Sequence, residues 1–250
     1  MDTKNVIAAI SLSAAVIILY SLFFAPPPIT KEQLAEKNKT EQNSDAPSLD
    51  QKETVTEITR EEALSQNKRI QFENQSIVGS ISLKGAAIDD LTFKEYNVAL
   101  ESDEKVKLLS PRNTKDGYFI ESGFITTDKN IDIPDSNSVW SVLGNSKLTN
   151  QSPVKLSWTN DQGITFEKQI TLDDNFLFTI NQKVINSTNK NYDFYSYGQI
   201  IRKEIPDISN FYILHEGLLA TLDEELIEED YDDIQEEKFS RTSQKGWLGI

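Results

Sequence analysis

His215, in the run Ile213-Leu214-His215-Glu216-Gly217, is the only histidine of the 250-residue chain, and there is no cysteine. Acid–base catalysis or zinc ligation at His215 would need partners that neither residue type can supply, so a hydrogen-bonded or surface role is the simpler account. The second concentration of chemistry-bearing side chains is acidic. Ten carboxylates, from Asp223 to Glu237, precede the next basic residue, Lys238. Such density could hold a divalent cation through oxygen ligands, but the glycine-containing spacing of an EF-hand loop is missing, and a solvated loop or helix is expected. No G-x-S-x-G elbow, Walker A loop or G-x-G-x-x-G turn occurs. No catalytic, cofactor-binding or metal-ligating residue is therefore assigned, no cofactor is expected, and the chain does not read as an enzyme.

The elements that position these side chains are read from apolar periodicity. From Arg69 onward the period is two. Ile77, Gly79, Ile81 and Leu83 alternate with Val78, Ser80 and Ser82 before a turn at Lys84-Gly85. A three-strand meander is the clearest stretch. Val154, Leu156 and Trp158 share a face, Asn160-Asp161-Gln162-Gly163 turns the chain, and Ile164, Phe166, Ile170 and Leu172 share the next face. Asp173-Asp174-Asn175 then turns into Phe176, Phe178, Ile180 and Val184. Further strand-like runs cover residues 118–126, 192–201 and 217–222. Thr59-Arg60-Glu61-Glu62 fits a capping box that would open a short helix over about 60–67. Many short strands without long helical patterns predict an all-β sandwich rather than a parallel α/β sheet.

Composition narrows the partners. A formal charge of -15 and a pI near 4.5 repel phosphate backbones, so no nucleic acid is expected. Without cysteine the fold owes nothing to disulfides and tolerates a non-reducing compartment.

Ahead of the β region, residues 6–24 form an uncharged apolar run of 19 residues, about the length that spans a bilayer core as a helix. Val6, Ile7, Ile10, Leu12, Val16, Ile17, Ile18, Leu19, Tyr20, Leu22, Phe23 and Phe24 are its membrane-anchor residues. A secretory signal would be shorter and end in small residues, whereas Phe23-Phe24 leads into Ala25 and three prolines, so an uncleaved signal anchor is expected. The lysine counts on the two sides leave its orientation open. The prolines stop the helix, and the polar stretch that follows cannot bury enough surface to fold. At the other end, Gly246-Trp247-Leu248-Gly249-Ile250 is an aromatic–aliphatic cluster. Trp247, Leu248 and Ile250 are membrane-interface candidates, with a final buried strand as the alternative.

Several stretches together resemble the first periplasmic domain of YidC-type membrane protein insertases, in the alphaproteobacterial style. They are Gly79-Ser80-Ile81, Leu83-Lys84-Gly85-Ala86, Ile88-Asp89-Asp90-Leu91, Leu108-Leu109-Ser110-Pro111, Pro153 to Trp158, Phe166, Ile170, Asp173-Asp174, Phe178-Thr179, Glu216-Gly217-Leu218 and Lys245 to Ile250. The resemblance implies a β-supersandwich similar to galactose-mutarotase-like folds, a cytoplasmic N-terminus and a periplasmic main domain at the bacterial inner membrane. Mutarotase chemistry uses a histidine pair, which His215 alone does not supply.

The implied organisation is a transmembrane signal anchor at 1–25, a polar linker at 26–58, the periplasmic sandwich at 59–245, and at 246–250 the start of an interfacial segment leading to a transmembrane insertase core beyond Ile250. The implied function is that of an insertase and chaperone for inner-membrane proteins, alone or with the Sec translocon, this portion docking partners. The implied partners are the lipid bilayer, the Sec translocon with its auxiliary subunits, and nascent inner-membrane proteins through the core. A membrane-tethered carbohydrate-binding module and a generic envelope scaffold are the alternatives.

Overall fold

The structure is a computed structural model that describes residues 57–205, 215–236 and 240–250. The expected anchor at 6–24 and the linker as far as residue 56 lie outside the described residues. Among the described residues no helix is long and apolar enough to cross a membrane.

The first element of the described residues is α1 (Arg60–Ser65), opened by the capping box expected from its sequence. The Glu62 amide donates to Thr59 Oγ1 at 3.2 Å, and the Thr59 amide donates to Glu62 Oε2 at 3.0 Å. Two of the helix's orphan donors are thereby satisfied. Ala63 is its one buried residue, so a helix this short depends on tertiary contacts. Arg60 provides one by pairing with the Asp90 carboxylate.

A seven-stranded sheet contains β1 (Arg69–Glu73), β2 (Ile77–Ser82), β3 (Ile88–Asn97), β4 (Lys105–Leu109), β5 (Tyr118–Ile125), β7 (Lys147–Leu148) and β11 (Tyr195–Arg202). Its order is β11-β5-β3-β2-β1-β7, with β4 paired to β3. Every pairing is antiparallel except β1 with β7. Facing it is a four-stranded sheet of β6 (Ser141–Leu143), β8 (Val154–Thr159), β9 (Ile164–Leu172) and β10 (Phe178–Asn186), in the order β10-β9-β8-β6. The predicted meander is β8-β9-β10, and the Asn160 side chain builds its first turn by accepting from the Gln162 and Ile164 amides.

The two sheets close on one core, which makes the fold an all-β sandwich. Phe72 meets Phe178 edge-on at 5.1 Å, and Phe124 meets Phe166 at 5.3 Å. Phe72, Ile77, Ile81, Leu148, Val154, Leu156, Ile164 and Phe166 are all fully buried. All but Phe72 and Leu148 are apolar positions named in the period-two pattern, and burial of the whole set supplies the main driving force for folding.

In two places the alternation between inner and outer faces fails. Ser80 and Ser82, expected on a solvent face, are buried. The register of β2 with β3 shifts so that Ser80 faces Asp90 and Ile81 faces Ile88, leaving Asp89 as the extra residue of a bulge. Two consecutive aspartates are thus buried, and each has an arginine. Arg69 pairs with Asp89, and Asp90 accepts from both Arg60 and the Ser80 hydroxyl. Burial pushes the Asp89 carboxyl above its usual value, against the pull of the Arg69 guanidinium.

The second failure is Lys168, on the same face of β9 as Phe166 and Ile170 and only 1% exposed. Its ammonium donates to the Ser122 carbonyl of the facing sheet and lies 4.8 Å from the centre of the Trp140 ring. Desolvation lowers its pKa from 10.5 to about 8, although Glu121 opposes the shift.

A third sheet has the order β13-β12-β14, with β12 (Gly217–Leu222), β13 (Glu225–Asp230) and β14 (Gly246–Gly249). The helix α2 (Tyr231–Glu236) follows β13. The acidic run is therefore a tight turn, a strand and a helix, where the sequence reading expected a loop or helix. Backbone pairing with β12 accounts for the difference, because it places Glu225, Glu228 and Asp230 on a sheet edge where carboxylates remain solvated. Asp223 and Glu224 make the turn with φ of 50° and 76°, the left-handed geometry that a two-residue hairpin loop requires.

Candidate functional site

Side chains of both sandwich sheets converge on an apolar groove of about 510 Å³. Ile88 and Leu91 of β3, Leu108 of β4, Ile120 of β5 and Ile200 of β11 come from the larger sheet, Phe178 from the start of β10 in the smaller, and Phe176 from the turn between β9 and β10. Most of the lining comes from β3, β4 and β5, with Ile200 of β11 and Phe178 of β10 contributing one residue each. Leu108 is 38% exposed, Ile200 36% and Phe176 50%. An apolar recess of this size suits a nonpolar side chain or extended segment held by burial. The sequence reading named these residues only as strand positions or within the stretches that carry the family resemblance. Nothing in their spacing distinguishes an apolar residue covered by the other sheet from one that reaches past its edge.

A second, polar pocket of about 290 Å³ lies over β1, β2, β3 and β5, with Arg69, Asp89, Arg112 and Glu121 in its lining. Arg112 pairs with Glu121 and covers the face of Phe119 at 4.6 Å. The charges are paired across the pocket, so the guanidinium groups serve their own carboxylates first.

The terminal candidates lie on β14. Its antiparallel pairing sets Trp247 against Thr221 and Leu248 against Ala220, and the two side chains are 53% and 68% exposed. Ile250 is half-buried just beyond the strand. Strand pairing and exposure thus coexist in this segment, which the sequence reading treated as alternatives. The other candidates, Val6 to Phe24, lie outside the described residues.

His215 precedes β12. Its ring meets the Asp230 carboxylate at 3.1 Å through Nδ1 and the Leu218 carbonyl at 3.2 Å through Nε2. Tyr231, Asp232 and Asp233 of the acidic run line the same cleft. Among the described residues no group of three or more His, Cys, Asp or Glu has a metal-binding arrangement.

Comparison with known proteins gives this geometry its context. Residues 69–250 match the YidC periplasmic domain family. A Pelagibacter ubique protein named membrane protein insertase YidC is 68% identical across the whole chain, which spans 45% of that relative's length. Proteins of the same name from Rickettsia prowazekii and Mesorhizobium japonicum are 38% and 32% identical over 98% and 100% of the chain, again covering 44% and 45% of their own lengths. The chain thus spans less than half the length of these relatives. With the match covering the sandwich and the third sheet, the chain belongs to the YidC periplasmic domain family.

Proposed function

We propose that this chain is the N-terminal portion of a membrane protein insertase and chaperone that integrates and folds inner-membrane proteins, alone or with the Sec translocon. The observation that carries the reading is the family match over residues 69–250, together with 68% identity to a relative of that name. In this reading residues 1–25 anchor the chain with a cytoplasmic N-terminus, 26–58 form a tether, and 59–245 fold in the periplasm. Residues 246–250 lead toward the bilayer surface, where Trp247 suits the interface.

The domain's own contribution is docking rather than bond-making chemistry. The apolar groove lined mainly by β3, β4 and β5 supports that role, because its rim offers nonpolar surface to a partner of the Sec type. Leu108→Arg with Ile200→Arg, placed in the full-length protein, tests the role without touching fully buried positions. Cross-linking to the translocon's auxiliary subunits should fall while insertion of a translocon-independent substrate persists. Unchanged cross-linking would remove the groove from the docking role. Deleting residues 60–240 should likewise weaken Sec association more than insertion, and equal loss of both would count against docking as the domain's task.

A further inference from the structure

We propose that His215 and Asp230 form a proton-operated latch at the open end of the β12–β13 hairpin. The hairpin closes at Gly217, which pairs with Asp230, and the Tyr231 amide donates to the Glu216 carbonyl at 3.1 Å just outside that pair. His215 stands one residue further out and reaches back across the end. Nδ1 lies 3.1 Å from the Asp230 carboxylate, and Nε2 lies 3.2 Å from the Leu218 carbonyl within β12.

Both neighbours are hydrogen-bond acceptors. A neutral imidazole carries one N–H and satisfies one of them, leaving its bare nitrogen against the lone pairs of the other. The imidazolium, with an N–H at each nitrogen, donates to both. The titratable and charged groups that face the ring across the cleft are Glu216 beside it, Asp230 at the end of β13, and Tyr231, Asp232 and Asp233 at the start of α2. Among the described residues no cation lines this cleft. Loss of the proton breaks one of two contacts and loosens the hairpin end. Because β12 also pairs with β14, the latch governs the order of the strand that carries Trp247 and Leu248.

The chain's one histidine makes the test clean. Amide hydrogen exchange would be followed in the full chain, in nanodiscs, from about pH 5.5 to about pH 7.5, the range in which histidines titrate, after correction for intrinsic rates. Protection of the Leu218 to Ala220 amides should fall about threefold across that range, while the β8–β9 amides stay level and report that the sandwich is intact. The step should vanish in both His215→Gln and Asp230→Asn. Its absence from the unsubstituted chain, or its survival in either variant, would overturn the latch.

Discussion

At the scale of single residues, Lys168 and the Arg69–Asp89 pair carry buried charge into a fold otherwise built on apolar contact. Lys168 titrates near pH 8 in the folded chain and near its ordinary value of 10.5 when unfolded. Between those values the unfolded chain binds more protons, so stability rises with pH across the window, whereas below pH 8 the cost of burying the ammonium is constant. Urea unfolding should therefore show a gain of about 2 kcal/mol from pH 8 to about pH 9.5, below the range in which tyrosines titrate. Lys168→Met should flatten that gain and lose no stability at pH 7, because an apolar side chain of similar volume replaces a poorly solvated charge. A K168M protein that keeps the alkaline gain would show that another group produces it. Asp89→Ala works in the opposite direction. It strands the Arg69 guanidinium, whose side chain is only 6% exposed, and should cost about 3–5 kcal/mol in the same measurement.

Element geometry explains where the strands tolerate change. A Cβ on Gly79 would sit 2.0 Å from the Asp90 carbonyl oxygen and 2.6 Å from the Phe72 ring, so β2 and β3 approach each other only because this residue has no side chain. Gly79→Ala should lower stability by about 3 kcal/mol or more, read as a fall in thermal midpoint. The β12–β13 turn predicts the reverse. Glu224 holds a positive φ without being glycine, and its ion pair with Lys245 is exposed. Glu224→Gly should stabilise the chain by about 1 kcal/mol, since relieving the left-handed backbone outweighs a surface pair. An unchanged or lower midpoint would mean that the Lys245 contact outweighs the backbone strain. These sites differ in how far the sequence announces them. Gly79 sits in an alternating run where it reads as an ordinary strand position, and the Asp-Glu turn lacks the usual asparagine or glycine. The Thr59 to Glu62 cap was legible because its bonds join residues three apart.

Across the whole molecule, burial is divided unevenly. The sandwich holds every large fully buried side chain among the described residues, whereas β12, β13 and β14 contain no buried residue. Local opening follows buried apolar contact, so the third sheet should exchange its amides well before the β8–β9 pair, independently of any pH step. Equal protection in the two regions would mean that the third sheet shares the core's stability. A net charge of -15 acts at the same scale: it disfavours anionic surfaces in general, and leaves local apolar features such as the groove and Trp247 to carry attraction.

The sequence by itself determined the all-β class, the β8–β10 meander, the helix cap and the family resemblance. Each rests on short-range information: period two along a strand, turn residues between strands, a bond over three positions. It also limited the chemistry, because a lone histidine and no cysteine are facts of composition. Tertiary structure alone decided that Lys168 lies inside the sandwich and that Asp89 and Asp90 are both buried at a bulge. It also decided that an acidic run becomes a sheet edge, and that β3, β4, β5, β10 and β11 converge on an apolar groove. In each of these the deciding contact joins residues far apart in the chain or depends on which strand ends a sheet. Neither is encoded in local spacing.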